Sequence, residues 1–233
     1  MKKIILAIDA LEYELVKKFD CKNLKQEFFG KTDISEFSQP RTMVLWSSFL
    51  KEKNMEKEVL KLGDEKMWYF KVDKTFFSGK KVKIIDLPGF SYEKEQHEKE
   101  RLLLKEFFEK EGKEAEEVKK EYNKNSFEHH KKIKKEFFSA IKQDFEVVIG
   151  YFSLADVIGH LNFGNTALMK MIYSDLDEIA KIAKEYGELL ILSDHGMEAI
   201  GSFGDHSEQG FWSCKKDLGT PKITDFGKII NSS

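Results

Sequence analysis

The sequence predicts an α/β fold, a doubly wound, mostly parallel sheet sandwiched by helices, and three observations predict it. Four short apolar runs, at 4–8, 82–87, 145–152 and 189–192, are continuous rather than alternating, and Gly, Pro, Asp or Ser bounds each one. Such runs read as strands buried on both faces, as in a parallel sheet. Between the last two, residues 165–186 set Leu168, Met171, Ile172, Ile179, Ile182, Ala183 and Tyr186 at helical spacing, so the local grammar is strand, helix, strand. A hydrophobic share of 41% over 233 residues is enough for a real core.

The first run follows two lysines and imitates a secretory leader, but Asp9 breaks it after five residues, too early for an apolar leader core. Residues 43–50 form an apolar, helix-like stretch behind Pro40-Arg41-Thr42, which puts Thr42 where an N-cap would stand. Residues 93–136 differ sharply from the rest, with 26 of 44 positions occupied by Asp, Glu, Lys or Arg. Their Glu and Lys residues fall at three- and four-residue offsets, which supports exposed helices. Phe107, Phe108, Phe137 and Phe138 favour helices docked on the remainder of the chain over a solvated linker. The expectation is one domain over 1–233 with a charged helical cap inserted at 91–142, acting as a lid. For the helix over 165–186, Asn165 or Thr166 is the N-cap and Gly187 the stop.

Composition excludes several classes. Lys and Arg number 39 against 41 for Asp and Glu, a net charge of -2, so no dedicated nucleic-acid surface is expected. The apolar runs fall far short of the ~20 residues of a spanning helix, so no membrane association is expected. Cys21 and Cys214 alone give neither a disulfide framework nor a thiolate zinc motif, which points to a cytoplasmic setting.

The chemistry gathers behind the strands. Asp9 ends the first run, Asp156 comes shortly after the third, and Asp194 and His195 directly follow the fourth. Ligands of open α/β sheets bind beyond the carboxyl ends of the strands. Three carboxylates there would repel one another unless a cation sat between them. Asp156 and His160, four positions apart on a helical turn, share a face and could grip one ion. In Ser193-Asp194-His195-Gly196 both polar side chains can ligate only if the chain bends, which Gly196 permits. His206 lies in a loop between Gly204 and Gly210. Thr42 reads either as a plain N-cap or as a hydroxyl at a helix N-terminus, where a phosphate or an alkoxide is favoured. Arg41, one of two arginines with Arg101, suits a salt bridge better than a substrate contact. His97, His129 and His130, in the charged segment, read as surface residues.

In this order Asp9, Thr42, the Asp156-x-x-Gly159-His160-x-x-Gly164 stretch, Ser193-Asp194-His195-Gly196 and Gly204-Asp205-His206 resemble the alkaline phosphatase superfamily, and within it the type I phosphodiesterase/nucleotide pyrophosphatase branch. The resemblance implies one metal held by Asp156, His160 and His206. It implies a second held by Asp9, Asp194 and His195, with Thr42 as a nucleophile bridging towards it. The cofactors implied are two divalent ions, zinc foremost and manganese as the alternative. The activity implied is hydrolysis of a small phosphodiester or pyrophosphate-linked ester through a phosphothreonine intermediate.

A threonine at position 42 does not fit the sulfatases, which need a modified Cys or Ser. The phosphoglycerate mutases and classical phosphomonoesterases of the superfamily use serine, so Thr42 favours the phosphodiesterase branch over them. The chain departs from its relatives after the nucleophile helix, reading Phe49-Leu50-Lys51-Glu52-Lys53-Asn54-Met55 where a Thr-Gly pair and His-Gly are common. His195 and His206 are only eleven positions apart, so the chain resembles a trimmed member. A phosphomonoesterase, or an inactive metal-binding interaction module, stays open beside the phosphodiesterase reading.

Overall fold

β1 (Lys3–Ile8) buries Ile4 to Ile8 because it lies inside a six-stranded sheet, hydrogen-bonded to a strand on each side. The computed structural model describes residues 1–232. The other strands of that sheet are β2 (Phe28–Asp33), β3 (Val82–Ile85), β4 (Val147–Phe152), β5 (Glu188–Ser193) and β8 (Gln209–Cys214), in the order β2-β8-β5-β1-β4-β3. β1 pairs parallel with both β4 and β5, and β3 pairs parallel with β4. β8 runs antiparallel to β5 and to β2. A separate antiparallel ribbon joins β6 (Gly196–Ile200) to β7 (Phe203–Ser207).

Helices cover both faces, which is why the strands carry no polar stripe. One layer holds α1 (Tyr13–Lys18), α2 (Lys22–Lys25), α8 (Leu154–Asn162) and α9 (Thr166–Ala183), packed on Ile4, Leu6 and Ile8. The other holds α3 (Thr42–Lys51), α4 (Glu56–Leu60) and α10 (Phe226–Asn231), packed on Ile5 and Ala7. A short helix, α5 (Gly63–Lys66), leads into a 3-10 turn at Met67–Tyr69. The fold class is therefore the α/β sandwich that the sequence predicts, and all four apolar runs are strands. The helix expected over 165–186 starts as read, with the Asn165 side chain accepting from the Leu168 amide, but it ends at Ala183.

Between β3 and β4 stand α6 (Lys94–Glu109) and the long α7 (Gly112–Ala140). The end of α7 buries Ile133, Phe137 and Ala140 in the sheet's core layer. Its earlier turns and α6 form a smaller apolar cluster with α8, in which Leu103 and Tyr122 meet Val157 and Leu161. His97, His129 and His130 are not surface residues. They are 3%, 5% and 7% exposed, because each lies on the inward stripe of its helix and finds a carboxylate there. Among the described residues no helix is long and apolar enough to cross a membrane.

Candidate functional site

The carboxyl ends of β1, β4 and β5 deliver the acidic residues to one edge of the sheet. Asp9 follows β1, and Ala10 behind it turns the chain with a φ of 52°, in the left-handed region. Asp194 and His195 fill the two positions between β5 and β6, both fully buried. Asp156 and His160 stand one turn apart on α8, and β7 carries His206. Gly159 and Gly204 make that last meeting possible. A Cβ on either would stand 2.2 or 2.4 Å from the Met197 sulfur, so a side chain at either position would force Met197 out of the gap between α8 and the ribbon.

The sequence-predicted residues fall into two groups. In the first, the Nε2 atoms of His160 and His206 each lie 3.4 Å from Asp156 Oδ1. In the second, His195 Nε2 lies 3.2 Å from Asp9 Oδ1 and 3.5 Å from Asp194 Oδ2. The groups share a wall, since the His195 and His206 rings stack with centroids 3.8 Å apart. Asp9, Thr42, Asp156, His160 and His206 line one cavity of about 300 Å³, and His195, fully buried with Asp194, stacks behind His206.

Outer contacts aim the inner atoms. His195 Nδ1 faces the Gly196 carbonyl at 2.9 Å and His160 Nδ1 faces the Gly204 carbonyl at 3.2 Å, which turns both Nε2 atoms towards the carboxylates. The Tyr151 hydroxyl donates to Asp9 Oδ2 and leaves Oδ1 free to face His195. Burial and the adjacent Asp9 carboxylate push the Tyr151 hydroxyl well above its ordinary range, so it stays protonated and donating.

Both groups suit a metal. Asp9 Oδ1, Asp156 Oδ1, both Asp194 oxygens and His195 Nε2 are buried without a hydrogen-bond partner. Orphaned buried polar atoms are rare unless an ion or water takes them. Tetrahedral bonds of ~2.0–2.1 Å set neighbouring ligand atoms about 3.3 Å apart, close to the separations here, and the N/O donors are those zinc accepts. Without a cation the carboxylates are in conflict: burial, then the neighbouring Asp9, drives the Asp194 carboxyl well above its usual range. Burial also opposes ionisation of Asp156, but the His160 and His206 imidazoles outweigh it and hold that carboxyl well below its usual range.

A third group, Asp86, His97 and His129, was not among the sequence-predicted site residues. His97 and His129 lie 3.0 and 2.7 Å from the same Asp86 oxygen, and His97 Nδ1 lies 2.8 Å from Glu100. These are hydrogen-bond lengths with every facing atom engaged, so a proton fills the role that a metal would fill in the other two groups. Burial lowers His97, but Asp86 and Glu100 overcome it and raise the imidazole to about 9. The sequence held one signal for this: His97, Glu100, Leu103 and Leu104 share a helical stripe on α6.

Thr42 is the first helical residue of α3, with Arg41 in the N-cap position. Its side chain is 6% exposed and makes no hydrogen bond among the described residues. The hydroxyl therefore caps nothing and faces the cavity. Arg41 forms an ion pair with Asp64, as the salt-bridge reading anticipates.

No family model matches the chain, and no curated protein matches it. Solved structures do. Murine ectonucleotide pyrophosphatase/phosphodiesterase 5 is 14% identical with a TM-score of 0.47, and the same values hold for its inactive variant in complex with AMP. The human enzyme of that name is 12% identical with a TM-score of 0.49. In each case the match covers 86% of this chain and 58% of the other, so the chain spans under two thirds of the length of those proteins. At such identity neither residue roles nor activity transfer from them.

Proposed function

We propose that the protein is a two-metal phosphohydrolase that cleaves small phosphodiester or pyrophosphate-linked substrates through a phosphothreonine intermediate on Thr42. The observation that carries this reading is the unbonded Thr42 hydroxyl at a helix N-terminus, in one cavity with Asp9, Asp156, His160 and His206, members of the two metal-type groups. Asp156, His160 and His206 would hold one ion, and Asp9, Asp194 and His195 the other. Bound there, divalent ions such as zinc or manganese supply Lewis-acid stabilisation of the attacking and leaving oxygens of an in-line displacement.

The chain's own residues do the rest. Thr42 is positioned by the first turn of α3, whose free amides and dipole favour both its alkoxide and a phosphoryl oxygen. Asp194 and His195 are shielded from water by burial, which strengthens the charge interactions between them and Asp9. Tyr151 fixes the Asp9 rotamer through the hydroxyl contact. The three aspartates set against two divalent ions leave the site net positive, which suits an anionic ester. The reading takes the protein to be cytoplasmic, with a small phosphate ester as its partner and α6 with the early turns of α7 as the cap over the cavity.

The test is elemental analysis of purified protein beside hydrolysis of aryl phosphodiesters and aryl phosphomonoesters. The proposal expects about two divalent ions per chain and faster cleavage of the diesters. Metal-free protein whose activity ignores chelators would overturn it.

A further inference from the structure

The chain has two arginines, and they are used differently. Arg41 is held by Asp64. Arg101, on α6, has no hydrogen bond or ion pair among the described residues, yet it lines the same cavity as Thr42, Asp9 and Asp156. Its guanidinium carbon lies 4.1 Å from the centroid of the Trp68 ring, another cavity residue. A guanidinium over an aromatic face keeps its edge N–H groups free to bond a ligand, and the contact restricts where the group can sit.

The carboxylate next to Arg101 in sequence is already engaged. Glu100 accepts from Gln96 at 3.0 Å through one oxygen and faces His97 Nδ1 at 2.8 Å through the other. His97 in turn binds Asp86 at the end of β3, so this turn of α6 is pinned to the sheet edge. Trp68 packs against Tyr92, whose ring stacks on it at 6.4 Å and on His97 at 3.8 Å. A preorganised cation without an ion-pair partner among the described residues thus lines a cavity that also holds Asp9, Asp156, His160 and His206.

Resting on the phosphohydrolase reading, we infer that Arg101, held on Trp68, is a specificity residue that binds a second anionic group of the substrate, a phosphate or carboxylate on the part that is not the reacting phosphoryl group. A planar guanidinium recognises either group through paired N–H···O bonds. Arg101 is the one guanidinium lining this cavity, and among the described residues no carboxylate forms an ion pair with it.

The experiment uses two 4-nitrophenyl phosphodiesters with the same leaving group, one carrying an ethyl arm and one a 2-carboxyethyl arm, with metal-loaded full-length protein. Wild type should prefer the carboxylate arm, and Arg101→Gln should lower kcat/KM for that arm at least about tenfold more than for the ethyl arm, the scale of one charged hydrogen-bond pair. Arg101→Lys should recover part of the preference, because it keeps the charge and loses the fork. Calorimetry with the two corresponding non-hydrolysable phosphonates gives the second readout. Equal losses on both arms, or equal affinities for both phosphonates in wild type, would overturn the assignment. A phosphonate preference lost in Arg101→Gln while neither ester is hydrolysed would sustain Arg101 and sink the hydrolase reading instead. Ethyl and carboxyethyl esters hydrolysed alike by wild type would do the reverse.

Discussion

His195 Nε2 and Asp9 Oδ1 face each other at 3.2 Å, and each is buried without a hydrogen-bond partner. Two such atoms at that separation are placed as neighbouring ligands of one cation would be. Metal should therefore stabilise the fold as well as serve the chemistry. Stripping it with chelator should lower the melting temperature, and re-adding zinc at about 100 times its dissociation constant should return about 2.7 kcal/mol per site. Asp194→Asn should bind one ion fewer by elemental analysis. An unchanged melting temperature and an unchanged ion count would speak against the site.

Gly204 brings α8 and the β6–β7 ribbon together. A Cβ there would stand 2.4 Å from the Met197 sulfur and 2.9 Å from the Gly159 carbonyl oxygen. Gly204→Ala should cost about 1–3 kcal/mol in stability, as overpacking does, and should weaken one of the two metals by moving His206 from His160. Adding Met197→Ala should recover part of the stability, as measured by denaturant unfolding. Full stability in the single variant would remove the close-approach argument.

The Asp86–His97–Glu100 bridge predicts a stability profile. His97 is raised from 6.5 to about 9, so its contribution is fully present below pH 6.5 and is lost as pH rises through 9. Asp86 is held down at about 2 by His129 and His97 despite burial, so its contribution is present above pH 3.8 and is lost as pH falls through 2. His97→Ala should cost about 3–5 kcal/mol, the scale of a broken buried pair, and should flatten the unfolding free energy between pH 6.5 and 9. A slope in that window equal to wild type would show that His97 is not the titrating group.

The central strands were legible because burial on both faces leaves unbroken apolar runs. β2, β8 and the β6–β7 ribbon left no such run. β2 is an edge strand with Phe28 and Lys31 exposed, and β6 places Glu198, Ala199 and Ile200 in solvent. Asp9 and Asp194 were legible because each stands directly behind an apolar strand, and Asp156 because it pairs with His160 one helical turn on. The burial of His97, His129 and His130 was hidden by their surroundings. Lys and Glu crowd the sequence around them, and only the helical period separates the inward stripe from the solvated one. Tyr151 sits inside an apolar run, so nothing marked its hydroxyl contact with Asp9.

The most direct test of the account is hydrolysis of an aryl phosphodiester by folded, metal-loaded Thr42→Ala. Thr42 caps nothing, so the variant should keep wild-type stability to within about 0.5 kcal/mol and bind both metals. Its turnover should fall by more than about a thousandfold, some 4 kcal/mol in the barrier, while Thr42→Ser retains measurable activity. Wild-type rates in Thr42→Ala would remove Thr42 from the chemistry and contradict the phosphothreonine mechanism.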